Sequence, residues 1–485
     1  MASLDEIREA RLKKLETLKK LGKDPYPAKS ERNIEIAKLI ENFADLEKGK
    51  NSVTIAGRVM ALRAQGAIIF VDIFDGTGKF QALLKKEEKI SDDDFNLFLE
   101  TVDIGDFVQV SGTLFVTKRE EKTVQVSSWK MLTKILQPLP EKWHGLQDIE
   151  ERYRLRYLDL LMNPELRELI IKKSKFWDVT RQFMKDEGFL EVETPTLEVT
   201  TGGAEARPFK THHNDFDLDM YLRISVGELW QKRLMAAGFP KTFEIGRVYR
   251  NEGTSPEHLQ EFTNMEFYWG YADYKMGMDL VKELYRTVAK EVFGKTKFEY
   301  NGHTFDLADD WQEIDYTSEI KKQTGIDIDK ADEKEMKEKL QELKVTYKGD
   351  NKERLTDTLW KYCRKNITGP AFLIGHPVLI APLAKRVVGT DKVQEFQPII
   401  AGSEVGRGYS ELNDPIDQKE RFEVQGRLLE AGDEEAMMPD LEFVEMLEHG
   451  MPPTCGFGYP ERLFAVLAGK PLRELQTFPL MRPRG

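Results

Sequence analysis

The stretch that decides the fold is VYRNEGTSPEHLQEFTNMEFYWGYADY, residues Val248 to Tyr274. Just upstream, KTFEIGRVYR alternates with the period of a strand and places Gly246, Val248 and Arg250 on one face. FTNMEFYWGY alternates again, with Asn264, Glu266 and Tyr268 on one face and Met265, Phe267 and Trp269 on the other. The segment between them, NEGTSPEH, is rich in turn residues. The pattern predicts a long antiparallel hairpin whose facing strands bring Arg250 near Glu266. Two readings of that pair are open. One is a surface cross-strand ion pair, worth about 1 kcal/mol or less. The other is a site that presents a cation and an anion together.

The chain of 485 residues is long enough for two or three domains of roughly 150 residues each. Lys+Arg 72 against Asp+Glu 84 gives a net charge of −12, which argues against a protein that coats nucleic acid generally but leaves room for a local basic face. Cys363 and Cys455 lie far apart and form neither a metal ligand set nor a disulfide framework, so thiols in a reducing compartment are expected. The N-terminus is charged from Asp5 onward and does not read as a signal peptide. FLIGHPVLIAPLA, the longest uncharged apolar run, is too short to cross a bilayer. A cytoplasmic protein with no membrane association is expected.

The pattern then divides the chain. Residues 1–48 open with SLDE, a capping-box spacing, and contain a basic amphipathic helix that ends near Gly22. Between Arg8 and Lys23 there are seven basic residues and two acidic ones. That helix is either a solvated surface helix or a guide for a polyanion. Residues 49–136 hold five short alternating runs, SVTIAGRVMAL, AIIFVDIFDG, KFQALLK, DFVQVSGTLFV and KTVQVSSWKML, which predict a small five-stranded barrel of the OB type. Residues 137–165 are expected to be a linker. Residues 166–485 form a mixed α/β region of the α+β type, with a charged helical insertion at about 325–368.

Five segments in this order carry a resemblance: GFLEVETPTL (188–197), GGAEARPFKTHHN (202–214), YRNEG with EFTNMEFYWGYADY, GYSELNDPIDQ (408–418) and PPTCGFGYPERL (452–463). Together with the N-terminal helix and barrel, they resemble the class II lysyl-tRNA synthetases over essentially the whole chain. The resemblance implies a central antiparallel sheet flanked by helices, preceded by an anticodon-binding OB-fold. It also implies a homodimer, because GFLEVETPTL corresponds to the class II interface motif.

Adenylation needs the amino-acid carboxylate to attack the α-phosphate of ATP, so catalysis is positioning and charge neutralisation rather than nucleophilic chemistry by the protein. By the resemblance, Arg250 clamps α-phosphate and carboxylate together, which a planar guanidinium does in bidentate fashion. Glu252 and His258 meet adenine and the terminal phosphates, Phe262 stacks on the base, and Gly458 allows close approach of the nucleotide. Arg462 holds the γ-phosphate end, with Pro460 expected in the first turn of the helix that carries it. Read without the resemblance, Phe262 is a core residue, and Gly456 and Gly458 are turn glycines.

A lysine substrate ends in a strongly hydrated ammonium, so burying it requires anionic and hydrogen-bonding partners. The resemblance assigns Glu266, Tyr268 and Glu411 to that ammonium, Glu228 and Gly203 to the α-amine, and Tyr409 and Arg407 to the same pocket. Mg²⁺ is the implied cofactor, with Glu404 as one ligand. Gln397 stands where relatives carry a second acidic ligand, and Arg407 stands where they carry asparagine. An arginine at 407 is expected to strengthen capture of the lysine carboxylate. In the barrel, Phe70 and Gln81 match positions that stack on and read anticodon bases, with Arg63 beside them as a backbone partner, while Ser128 replaces an anticodon-reading glutamate. Phe70 as a barrel core residue is the competing reading. The partners implied are ATP, L-lysine and tRNA(Lys). Related readings are an aspartyl or asparaginyl enzyme, a paralogue that attaches lysine to protein, and a non-catalytic RNA-binding relative.

Overall fold

A computed structural model describes residues 3–140, 148–204, 206–253, 258–347, 349–432 and 436–484. The chain forms two compact units, Met1–Ile149 and Glu150–Gly485.

In the first unit, helix Leu4–Lys20 starts at the expected capping box, with Ser3 and Glu6 each accepting from the other's backbone N–H. It buries Leu15 and Leu18, and also Arg11, whose guanidinium donates to the carbonyls of Gln137 (2.8 Å) and Ile104 (3.3 Å). Lys14 pairs with Asp103 at 2.7 Å. Part of the basic charge expected to face a polyanion is therefore committed inward, because long cationic side chains reach polar partners while their stems pack.

The five runs form strands β1 (Val53–Gln65), β2 (Ile68–Phe74), β3 (Lys79–Lys85), β4 (Phe107–Val116) and β5 (Lys122–Thr133). They close into a barrel in the order β1-β2-β3-β5-β4, with β3 and β5 parallel and the other pairs antiparallel. Ile55, Val59, Ile69, Val71, Ile73, Val108, Val110 and Val124 fill its interior. A helix between β3 and β4, Asp92–Thr101, adds Phe95 and Phe98 to the same core.

The second unit begins where a linker was expected. Residues 141–147 lie outside the described residues, but Ile149–Arg154 and Arg156–Met162 are helical. Arg156 is fully buried, pairs with Asp159 at 2.8 Å and donates to the Gln476 carbonyl at 3.1 Å. A helix then runs Pro164–Asp186. The strands that follow are β6 (Leu190–Glu191), β7 (Leu197–Glu198), β8 (Lys210–His213), β9 (Leu218–Leu222), β10 (Lys241–Tyr249), β11 (Glu261–Gly270), β12 (Lys297–Tyr300), β13 (His303–Asp306), β14 (Gln312–Asp315), β15 (Ala371–Ile374), β16 (Glu395–Ile400), β17 (Ser403–Glu404), β18 (Arg407–Ser410) and β19 (Thr454–Pro460). The main sheet has the order β14-β15-β16-β18-β19-β11-β10-β6, with β17 paired to β16. It is antiparallel through its centre and parallel only at its two outer pairs.

Strand alternation gives this sheet two different faces. Met265 and Phe267 of β11 join Phe457 and Tyr459 of β19 in an apolar core. Helices Pro164–Asp186, Tyr274–Phe293 and Arg462–Ala468 cover it with Phe176, Leu284, Tyr285 and Phe464. Each such side chain stabilises by about 1.5–3 kcal/mol on burial. Asn264, Glu266, Tyr268, Gly456 and Gly458 take the opposite face, and helix Glu228–Ala236 packs there through Leu229 and Met235. The insertion contributes helices Glu333–Glu342 and Lys352–Cys363. They pack with helix Tyr316–Thr324 around Met336, Leu340, Leu355 and Leu359. Cys363 and Cys455 are buried free thiols. No helix among the described residues is long and apolar enough to cross a membrane.

Candidate active site

The hairpin forms, but in a different register from a simple Arg250–Glu266 pair. Glu266 lies directly opposite Glu244, while the Arg250 N–H meets the Gln260 carbonyl at 2.8 Å, well down the strand from Glu266. Arg250 follows the end of β10, and the connection is longer than a tight turn; its residues 254–257 lie outside the described residues. The two side chains meet instead as walls of one cavity of about 500 Å³, the size of a small-molecule site.

At the acidic end, cross-strand rows place the chemistry. Tyr268, Gly456 and Tyr409 form one row across β11, β19 and β18, and Glu266, Gly458 and Arg407 form the next. The glycines of β19 are needed for closeness. A Cβ at Gly456 would lie 2.0 Å from Glu411 Oε1, and one at Gly458 would lie 2.8 Å from Glu266 Cγ. They are strand residues against which carboxylates pack, not turn glycines. Glu266 accepts from the Val226 N–H (2.8 Å), Asn264 Nδ2 (2.9 Å) and the Tyr268 hydroxyl (3.3 Å). Glu228, at the start of its helix, accepts from the Tyr409 hydroxyl and from Lys232 Nζ at 2.8 Å. Lys232 Nζ also lies 2.5 Å from Glu411 Oε2. Gly203, with φ at +87°, approaches so closely that a Cβ there would meet Glu228 Oε2 at 2.7 Å.

Burial and the charge of Glu228 push Glu266 up to about 7. Burial likewise pushes Glu411 up to about 8, against the pull of Lys232. Burial works against the charge of Lys232, but Glu228 and Glu411 outweigh it and hold the ammonium above the ordinary lysine range. Tyr268 and Tyr409 are driven well above the phenol range by burial and by neighbouring carboxylates, so both remain hydrogen-bond donors. An anionic, donor-lined pocket of this kind is suited to an organic cation.

The other end of the cavity is cationic. The Arg250 guanidinium lies 5.3 Å from the Phe262 ring centroid and donates to the Ile224 carbonyl through Nε (3.4 Å) and Nη2 (3.3 Å). Phe262 is half-buried on the cavity wall rather than in the core. Glu252, His258, Glu404, Gly458 and Arg462 line the same cavity. Arg462 opens helix Arg462–Ala468 and donates to the Glu404 carbonyl at 3.3 Å. Pro460 is not in the first turn of that helix. It ends β19, paired with Asn264, because the ladder with β11 continues through it. Burial opposes ionisation of Glu404, but Arg364 at 3.2 Å and the Trp360 N–H at 2.8 Å hold its carboxyl below the usual range.

Arg407 lines the cavity, and its guanidinium is engaged by a buried carboxylate. Nε donates to Glu395 Oε1 at 2.8 Å, and Nη2 donates to Glu395 Oε2 at 3.1 Å and to the Ile380 carbonyl at 2.9 Å. Gln397 donates to the same Glu395 at 3.2 Å, and its own amide oxygen is buried without a hydrogen-bond partner. Buried His376 lies 3.6 Å from Glu395 and is held below the usual imidazole range by burial.

A description of class II tRNA synthetases (D, K and N) matches residues 148–482, and one of OB-fold nucleic acid binding domains matches residues 53–132. The chain is 44% identical to a lysine–tRNA ligase of Roseiflexus sp. (strain RS-1), over 99% of both chains. It is 43% identical to that of Thermotoga maritima, over 99% of this chain and 97% of the relative. It is also 43% identical to that of Carboxydothermus hydrogenoformans, over 99% of both. The chain belongs to the class II lysine–tRNA ligase family.

In this lysine–tRNA ligase relative the barrel residues gather on one outer face. Arg63 pairs with Phe70, Phe70 with Leu83, and Asp72 with Gln81, while Ile69 and Val71 point inward. Phe70 is half-buried and faces out, so the reading of it as a barrel core residue does not hold. Gln81 accepts from the Thr123 hydroxyl at 3.0 Å. Ser128 is exposed and pairs with Ser111 on β4. Sequence reasoning missed three charged residues that build the catalytic unit's site: Lys232, Glu395 and Arg223, the last paired with Glu244 at 2.6 Å. The i,i+4 spacing of Glu228 and Lys232 in GELWQKRL was the one legible signal.

Proposed function

We infer that the protein activates L-lysine with ATP to lysyl-adenylate and transfers the lysyl group to the 3′ end of tRNA(Lys). The observation that carries this reading is one cavity with three buried carboxylates, Glu228, Glu266 and Glu411, at one end and Arg250 and Arg462 at the other. A zwitterionic amino acid with a second ammonium fits that polarity lengthwise. Its ammonium groups meet the carboxylates, and its carboxylate meets Arg250 beside the α-phosphate of ATP. Arg250 then neutralises charge on both partners of the in-line attack, and no protein nucleophile or base is required. Phe262 stacks on adenine, Glu252 and His258 meet the base and terminal phosphates, and Arg462 holds the γ-phosphate end. Arg407, already engaged by Glu395, adds positive potential to the wall rather than a direct carboxylate clamp.

Mg²⁺ fits this site as an ion held mainly by nucleotide phosphates. Glu404 would supply its carboxylate. Gln397 stands on β16 two positions from Ile399, which faces Glu404, so its amide oxygen would offer a neutral second donor from the same face. When bound, the ion would screen phosphate charge.

The tRNA reading draws on the outward face of Arg63, Phe70 and Gln81, an aromatic ring beside polar readers of the kind that takes single-stranded loops. It also draws on a second cavity of about 950 Å³ that shares Glu252, Arg354, Asp357 and Lys361 with the first and adds Arg207, Lys344 and Lys365. A homodimer through 188–199 is supported by exposed Leu190, Leu197 and Val199 in that segment. The buried free thiols and the absence of a membrane-spanning helix among the described residues are compatible with the cytoplasm. ATP–pyrophosphate exchange with each of the twenty amino acids, with and without tRNA, tests the reading. Lysine alone should give strong exchange; exchange driven by aspartate or asparagine would overturn it.

A further inference from the structure

Lys232 has no place in the chemistry described so far, yet its ammonium pairs with two of the carboxylates that line the cavity, Glu228 and Glu411. Only 1% of the residue is exposed. Its ammonium lies 2.8 Å from Glu228 Oε1 and 2.5 Å from Glu411 Oε2, between the Tyr409, Phe443 and Tyr268 rings at 5.5, 5.7 and 5.9 Å. A buried lysine is expensive to keep charged unless anions surround it, and here two do.

The charges can be counted. Glu228, Glu266 and Glu411 are three potential anions, and Lys232 is one cation, which leaves a deficit of two. A free lysine brings two ammonium groups to this end while its carboxylate goes to Arg250, and the count closes. Without Lys232, three crowded carboxylates would meet two cations. The cheapest remedy would be a proton on one carboxyl, which then can no longer form an ion pair.

We propose that Lys232 is a specificity-determining positioning residue: its buried ammonium keeps Glu228 and Glu411 available together as anions for the two ammonium groups of one bound lysine. This rests on the lysine reading above. The groups that face Lys232 are Glu228 on its own helix, Glu411 just after β18, and the Tyr268, Tyr409 and Phe443 rings. Both tyrosines remain protonated across the neutral range, so among these groups it is Glu411 that answers to pH there.

The test is the lysine KM in pyrophosphate exchange from pH 6.0 to 8.5 for wild type, Lys232→Met and Lys232→Arg. At pH 7 the methionine variant should raise KM by about tenfold or more, a loss of about 1.4 kcal/mol, with kcat within about threefold. Its ratio to wild type should shrink as pH rises, because the stranded carboxyl loses its proton later. Lys232→Arg should keep the shape of the wild-type profile. An unchanged KM, or a KM raised equally at every pH, would show that Lys232 only packs, and overturns the proposal. If the methionine variant does not fold, Lys232→Gln gives the same comparison without the charge. Wild type without lysine-dependent exchange overturns the lysine reading and this inference with it; wild type with exchange but an unmoved variant profile overturns the inference alone.

Discussion

The guanidinium of Arg407 lies on the fully buried carboxylate of Glu395, with Nε to Oε1 at 2.8 Å and Nη2 to Oε2 at 3.1 Å. Removing one partner of such a pair strands the other. Arg407→Ala should therefore destabilise the catalytic unit by about 2 kcal/mol, and adding Glu395→Gln should recover part of that loss. Because Arg250 carries the substrate carboxylate, lysine KM should change by no more than about threefold. Thermal unfolding of the single and double variants, with exchange kinetics, checks both statements. A large KM effect without destabilisation would return Arg407 to direct substrate capture.

Lysine affinity should rise with pH between about 6 and 8. Burial raises Glu266 to about 7 and Glu411 to about 8, so the empty pocket holds a proton that the incoming ammonium must displace. Below those values the carboxyls are neutral and binding is weak; above them both are ionised. Calorimetry in two buffers of different ionisation enthalpy should record proton release on lysine binding at pH 7. Glu411→Gln should raise lysine KM by roughly 30-fold or more, since it removes one anion from a buried charge pair.

Gly456→Ala should weaken lysine selectively. Its Cβ would lie 2.0 Å from Glu411 Oε1 and 2.6 Å from the Tyr268 ring, so either the carboxylate or the ring must move. Lysine KM should rise by about tenfold or more, in keeping with an overpacking cost of about 1–3 kcal/mol. ATP KM should change little, because the clash is at the acidic end. Parallel titrations of the two substrates make the comparison.

Phe70→Ala should leave lysine-dependent exchange intact and weaken tRNA binding by about 1–3 kcal/mol through lost stacking. The ring is half-buried on the outer face of β2, so the barrel core is not opened. Filter binding or the tRNA KM for aminoacylation reads the effect, and an unchanged value would leave Phe70 a structural residue.

The alternation of residues 264–269 was legible because a strand sends successive side chains to opposite faces. That alone put Met265 and Phe267 on one face and Glu266 and Tyr268 on the other, which the structure makes the core and the cavity wall. The assignment of Glu266 and Tyr268 to a substrate came from the resemblance. The five barrel runs and the Ser3–Glu6 capping box were equally local, and the structure carries them as read. What local pattern could not decide was which distant charges meet. Glu411 reaches Lys232, and Arg407 reaches Glu395, only because β18 and β19 pair beside β11 while the Glu228–Ala236 helix packs over that face. Likewise, Pro460 ends a strand because it pairs with Asn264, as Tyr459 pairs with Met265, on a partner strand its own sequence does not name. Charge neutralisation in a buried pocket is a sum over groups from several elements. Its terms were visible one at a time in the sequence, and the fold alone set the distances that make them one site.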